Sequence, residues 1–164
     1  MNQASANAEA FLLSLESAVW NNAPMQAVQV QHYIERATDF SRGMKLMSND
    51  EDHFNSSALL AIHSAISYSD ALRAGLGDVR LSSDDHRKAA DRLRGMLNSK
   101  HYKEQQGLRH LDRLLSKKSR VAYSDHPLSH TESNELITAA ERFAVWINQV
   151  GKHLNLEGWI HDDQ

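Results

Sequence analysis

The 164-residue chain contains no cysteine. This excludes a disulfide framework, a thiolate metal site and a cysteine nucleophile. No apolar run is long enough to cross a membrane, and the first residues lack the basic start and apolar core of a signal peptide. From these absences we expect a soluble cytoplasmic protein that is not inserted in a membrane.

Proline and glycine are scarce as well, with two and seven residues respectively. Both interrupt helices, whereas the abundant Ala, Leu, Gln and charged residues favour them. Apolar residues recur at spacings of three and four along most of the chain, as in helices that bury one face. We predict an all-α fold, an up-and-down antiparallel bundle of five to six helices that forms one domain over residues 1–164.

Helix-start and helix-stop signals divide the chain. Pro24 disfavours helix in the residue before it and suits a first turn, so we expect one helix over Ala8–Trp20 and a second from Pro24 onward. Ser48–Asp50 predicts a turn and a cap for the third helix. The fourth helix is expected to start at Ser82–Asp85 and the fifth at about Tyr102.

The last helix begins with a capping-box pattern formed by Ser129 and Glu132. Apolar residues then alternate at spacings of four and three, and Trp159 in the tail is expected to pack back on the bundle. The second and last helices carry long apolar seams, with Trp146 and Trp159 beside or beyond the latter. We predict a homodimer, because one bundle is not expected to cover all of this apolar surface.

The stretch from His53 to Leu76 organises the chain. It combines many Ala and Ser residues with Leu and Ile at helical spacing, so neighbouring helices can approach it closely and it is predicted to be the central helix. Asp70 is the one acid among these small and apolar residues, and a carboxylate there needs a partner. We predict that Asp70 pairs with Arg120 and that Asp70→Ala destabilises the fold by leaving a buried cation.

Charge is distributed unevenly. The net charge is −3, but residues 80–120 hold 12 of the 18 Lys and Arg and only five of the 21 acids, a net of +7. This asymmetry predicts a surface for RNA, DNA or an acidic partner protein. The alternative is a solvated helix face whose charges form ordinary salt bridges.

Phosphate-binding loops, GxSxG and HExxH motifs and Glu-x-x-His pairs are absent. Ten histidines raise the question of a metal, but only His126 and His130 lie four apart near a plausible pocket, with Pro127 between them. We therefore predict no metal site and no cofactor, and we rank a helical metalloenzyme last among the functional hypotheses. His63, within the central helix, is expected to be a hydrogen-bonded core residue.

The segment from Arg120 to His126 carries a different chemistry. An imidazole can move protons at a ribose 2′-hydroxyl or at the leaving oxygen, and a guanidinium can hold the phosphate and stabilise its developing charge. Arg120 and His126 are thus candidate catalytic residues for RNA cleavage without a metal. Lys117 and Lys118, just before them, are candidate nucleic-acid-binding residues.

The order of these features resembles the HEPN family (higher eukaryotes and prokaryotes nucleotide-binding) over about residues 52–150. The similar segments are AIHSAISYSDAL in the central helix, SSDDHRKAADRL at the next helix start and LLSKKSRVAY before the last helix. These look most like the bacterial branch with Arg and Tyr three apart, here Arg120 and Tyr123.

The resemblance implies an antiparallel bundle that often dimerises, and in active members the Arg and His of two subunits meet and cleave RNA. Many members act as toxins paired with a nucleotidyltransferase-fold antitoxin. The leading hypothesis is therefore a HEPN-like protein that engages RNA or nucleotide, as a metal-independent toxin-type endoribonuclease. The alternative is a non-catalytic assembly module that binds a partner protein, in which Arg120 is structural, bound to Asp70 with Tyr123 packed beside it.

Overall fold

The computed structural model describes residues 3–49, 52–78 and 88–159. Within these ranges the chain forms five helices and no strand, which confirms the predicted all-α bundle. The helices are α1 (Gln3–Ser48), α2 (Phe54–Gly75), α3 (Ala89–Ser99), α4 (Leu108–Tyr123) and α5 (His130–His153). Over the same residues, none of them has the length and apolar character needed to span a membrane.

The longest helix, α1, runs without interruption through Pro24. The predicted break between two helices at this residue is therefore wrong. A proline biases the preceding residue away from helix but does not prohibit it, and tertiary packing can offset the lost hydrogen bond. Beyond Pro24, α1 packs along α2 and buries Val30, Ala37 and Met44.

The predicted central helix is confirmed as α2, which packs against the other four helices. Its small residues Ala58, Ala61 and Ala71 are fully buried, so the neighbouring backbones approach closely. The helix ends at Gly75, and Gly77 in the following turn has a φ of 86°, a conformation that glycine adopts without steric cost.

The predicted cap at the start of α2 is wrong. The N-cap residue is His53, and no side chain there caps the helix. Asp50 lies outside the described residues, as does the predicted start of the next helix at Ser82–Asp85. The apolar stripe expected on that helix is confirmed on α3, where Ala90, Leu93 and Leu97 are fully buried.

Helix α4 corresponds to the predicted fifth helix, but it begins at Leu108 rather than near Tyr102. His101 has a φ of 57°, which interrupts helical geometry after α3. The backbone carbonyl of Glu104 accepts a 2.8 Å hydrogen bond from Nε1 of Trp146 on α5. A contact with a helix that is distant in the sequence therefore holds this segment outside α4. The spacing of nearby apolar residues could not predict this contact.

The capping box at the start of α5 is confirmed. The backbone N–H of Glu132 donates to Oγ of Ser129 at 3.2 Å, and the backbone N–H of Ser129 donates to the carboxylate of Glu132 at 3.0 Å. The predicted apolar seam is buried as well, at Leu136, Phe143 and Ile147 among others. These residues pack mainly against α2 and α4.

Both tryptophans near the end of the chain are buried within the bundle. Trp159 packs on Gly151, and its Nε1 donates to Oδ1 of Asn148 at 3.2 Å, so the tail folds back as predicted. Trp146 is covered by the segment before α4. The two rings thus offer no dimer surface, and the homodimer stays a prediction.

Candidate nucleic-acid interface

Four basic residues form a stripe on one side of α4. Arg109, Arg113, Lys117 and Arg120 follow one another at spacings of four, four and three, and all are exposed. Such spacing keeps side chains on one helix face, and the stripe extends over about 16 Å. The opposite face is buried at Leu108, Leu111, Leu114, Leu115 and Val121. We call the four cations the basic stripe.

Two members of the basic stripe pair with carboxylates of α5. Nη2 of Arg113 lies 2.5 Å from Oε2 of Glu135, and Nη2 of Arg120 lies 2.5 Å from Oε1 of Glu132. These pairs are exposed to solvent and therefore contribute little to stability. Arg109 and Lys117 make no ion pair with any residue that the structure describes.

Lys118 does not belong to the basic stripe. Its side chain is half-buried on the opposite side of α4. There its charge adds to the effect of burial, and both lower the pKa of His63 on α2. The ring of His63 lies 5.5 Å from that of Phe40, in a tilted ring contact. Of the two predicted nucleic-acid-binding lysines, the structure therefore places only Lys117 on the exposed face.

The predicted pairing of Arg120 with Asp70 is wrong. The side chain of Asn55, in the first turn of α2, contacts the backbone carbonyl of Val121 at 3.5 Å and the N–H of Leu128 at 2.7 Å. The end of α4 therefore lies at the beginning of α2. Asp70 is 15 residues further along that helix, which corresponds to about 22 Å.

The carboxylate that holds Arg120 belongs to Glu132. Hydrogen bonds from the backbone and side chain of Ser129 lower the pKa of Glu132, and the nearby Arg120 lowers it further. The carboxylate therefore stays charged at neutral pH. The capping box of α5 thereby fixes the position of the partner of Arg120.

Asp70 instead belongs to a buried ion cluster at the end of α2. Its Oδ1 lies 3.2 Å from Nη1 of Arg73, whose Nε and Nη2 contact Oδ2 of Asp78 at 2.9 and 2.8 Å. Burial raises the pKa of Asp70 to about 6, although Arg73 and Arg36 both act to lower it. The cation beside Asp70 keeps a second carboxylate, so Asp70→Ala does not leave it unpaired.

His126 and Tyr123 are both exposed near the end of α4. The imidazole Nδ1 of His126 lies 3.1 Å from Oδ1 of Asp125, and the side chain of His126 is 83% exposed. No hydrogen bond or ion pair joins His126 to Arg120 within the described part of one chain. Tyr123 is 86% exposed, so its predicted packing beside a structural Arg120 is wrong.

A groove between α4 and α5 lies beside the basic stripe. It consists of two adjoining clefts of about 470 and 320 Å³ that share His110 and Arg142. Burial lowers the pKa of His110, and the charges of Arg142, Arg109 and Arg113 lower it further. Sequence reasoning missed this groove, because its residues come from two helices whose contact no local pattern specifies.

Among residues 25–49, 52–78 and 88–159, no group of three His, Asp or Glu side chains could hold a metal ion. None of the known protein families, curated proteins or solved structures matches the chain. The fold and the site thus define an all-α bundle with a basic face on α4 and a groove between α4 and α5.

Proposed function

We propose that this HEPN-like bundle binds RNA through the basic stripe of α4. The observation that supports the proposal is the exposure of four cations along one face, two of them without a carboxylate partner. Phosphate groups of a nucleic-acid strand are spaced regularly and neutralise cations with release of counterions. A linear row of Lys and Arg matches such a strand better than a single anion.

The two paired members of the basic stripe are also available to a phosphate. In the pairs of Arg113 with Glu135 and of Arg120 with Glu132, each of the four side chains is about half-exposed to solvent. Exposed ion pairs are worth at most about 1 kcal/mol. A phosphate can therefore replace either carboxylate at small cost, since guanidinium groups bind phosphate with two parallel hydrogen bonds.

RNA is proposed rather than DNA because of the chemistry at the end of the stripe. Arg120 is followed by His126, an exposed imidazole that can act on a 2′-hydroxyl. Only RNA carries that group. The resemblance to the HEPN family points to the same partner.

Replacing Arg109 and Lys117 together by glutamine is expected to weaken RNA binding and its salt dependence. For a single strand, the slope of log K against log salt should become less negative by about 1.4, or about 0.7 for each lost phosphate contact. Fluorescence anisotropy of a mixed-sequence RNA between about 50 and 200 mM salt measures this slope.

The matched control replaces Arg42 and Lys45 by glutamine. Both are exposed on α1, away from the basic stripe, so the change removes the same charge without touching the proposed site. The salt dependence should remain that of the unmodified protein. Equal losses in the two double variants would contradict a binding site on α4, and absence of RNA binding even at low salt would favour the assembly-module hypothesis.

A second candidate function is RNA cleavage by Arg120 and His126. It is favoured by the carboxylate of Asp125 at 3.1 Å from Nδ1 of His126. Such a contact supports the tautomer in which Nδ1 carries the proton and Nε2 faces solvent as a base. Arg120 does not contact His126 in one chain, and in the predicted homodimer the Arg120 of one copy and the His126 of the other would act on the same phosphate.

If the protein cleaves RNA, cleavage should persist in the presence of a chelator and leave 2′,3′-cyclic phosphate ends. His126→Ala should abolish turnover with little change in RNA affinity, because it removes a proton carrier rather than a charge. Gel analysis of labelled RNA with and without chelator tests this. His32→Ala, an exposed histidine of α1, should retain activity, and cleavage by His126→Ala would exclude the mechanism.

A further inference from the structure

The two clefts of the α4–α5 groove meet at His110 and Arg142. Arg142 forms no ion pair with any residue that the structure describes, and neither does the nearby Arg109. Arg113 has one carboxylate partner, Glu135. Glu141 also lines the smaller cleft, so three arginines face two glutamates around the junction, and an anion from outside the chain would balance the remaining positive charge.

The two clefts differ in chemistry. The larger one is lined by polar side chains of α5 such as Thr131, Asn134 and Thr138. The smaller one is lined by the exposed side chain of Val145, by Gly107 and by the mostly buried Trp146, and also by the polar side chains of Gln106, Glu141 and Gln149. A ligand that spans the junction thus meets cations at one end and apolar surface at the other.

We propose that this junction binds a phosphate monoester that carries a planar or apolar group. A monoester places close to two negative charges on one phosphorus at neutral pH. Arg142 of α5 lines the groove beside His110, together with Arg113 of the basic stripe and with Arg109 nearby, and guanidinium forks match phosphate oxygens. The apolar group would occupy the smaller cleft, whose volume of about 320 Å³ falls within the range of small-ligand sites.

His110 supplies a direct readout of binding. Its pKa is below its usual value, because it is partly buried and faces Arg142, Arg109 and Arg113, so the imidazole is neutral at pH 7. A bound dianion favours the charged imidazole and should therefore raise this pKa. Glu135 and Glu141 also border the groove. Because they are there with and without a ligand, they do not account for a change in the pKa of His110 on binding.

The test titrates the full chain with inorganic phosphate and with uridine 5′-monophosphate, followed by NMR of the histidine side chains. Both probes should bind, the nucleotide more tightly, and the pKa of His110 should rise, while the NMR signals of the exposed His32 should not respond to either probe. Arg142→Ala should weaken binding by about tenfold or more, the loss of one charged hydrogen bond. Lys152→Ala, also exposed on α5, should change it by less than about twofold.

RNA with a 5′-phosphate or a 5′-hydroxyl identifies the source of the monoester. A preference for the phosphorylated RNA that Arg142→Ala removes would assign the junction to an RNA end, and equal binding of the two would assign it to a free small molecule. No saturable binding of either probe to the unmodified protein, or equal binding by Arg142→Ala, would overturn the proposal. If the unmodified protein binds the nucleotide but no RNA, that result counts only against the basic stripe, so the two failures are distinguishable.

Discussion

Gly107→Ala is expected to destabilise the protein by about 3 kcal/mol. A methyl group at this position would overlap several atoms of the Trp146 indole ring. The ring cannot easily move away, because it is buried and its Nε1 is bound to the carbonyl of Glu104 at 2.8 Å. The backbone at Gly107 has a φ of −64°, which alanine adopts readily, so the expected loss comes from packing alone.

The matched control is Gly95→Ala, in the middle of α3. Apart from its own turn of helix, no atom lies within 4 Å of a methyl group added there, and alanine is favoured over glycine in helices by up to about 1 kcal/mol. Urea denaturation of the two variants should therefore show opposite signs. Equal stability of Gly107→Ala and the unmodified protein would mean that Trp146 can repack.

The same variant bears on the proposed phosphate site, because Gly107 and Trp146 both border the smaller cleft. A displaced indole ring would change the shape of this cleft but not the position of Arg142 on α5. Under conditions where Gly107→Ala remains folded, inorganic phosphate should bind as before, while uridine 5′-monophosphate should lose its advantage over phosphate.

Much of the bundle could be predicted from local patterns. The seam of α5 and its capping box depend on residues three and four apart, and so does the burial of Leu93 and Leu97 on α3. A period of that kind is a property of one helix and requires no knowledge of its neighbours. The central position of α2 followed in the same way from its small residues.

The candidate site could be predicted only in part. The excess of cations in residues 80–120 indicated a basic surface, but the division of Lys117 from Lys118 depends on which face of α4 is buried. The partner of Arg120 was missed because Glu132 is brought to it by the turn between α4 and α5. His110 and Arg142 line the same groove although they are 32 positions apart in the sequence, and nothing local specifies that they lie close together.

Arg73→Met is expected to destabilise the protein by about 3–5 kcal/mol at pH 7. The side chain of Arg73 is 5% exposed and holds two largely buried carboxylates, Asp70 and Asp78. Its removal takes the nearest cation from both acids in a poorly hydrated environment, although Asp78 keeps a 3.8 Å contact with the half-exposed Arg92, and this costs more than the lost attraction alone. Arg94→Met is the control, because its ion pairs are exposed, and it should cost less than about 1 kcal/mol.

The pH dependence of unfolding separates this ion cluster from simple packing. Burial raises the pKa of Asp70 from 3.8 to about 6, so the folded chain binds this proton more tightly than the unfolded chain. The resulting stability is complete below about pH 4 and is lost as the pH rises through about 6, a change of about 3 kcal/mol. Asp70→Asn, which cannot ionise, should flatten the curve of unfolding free energy over this window while Arg73 keeps Asp78 as its partner. An unchanged slope in Asp70→Asn would show that Asp70 is already ionised at pH 4, and would reduce the cluster to an ordinary surface ion pair.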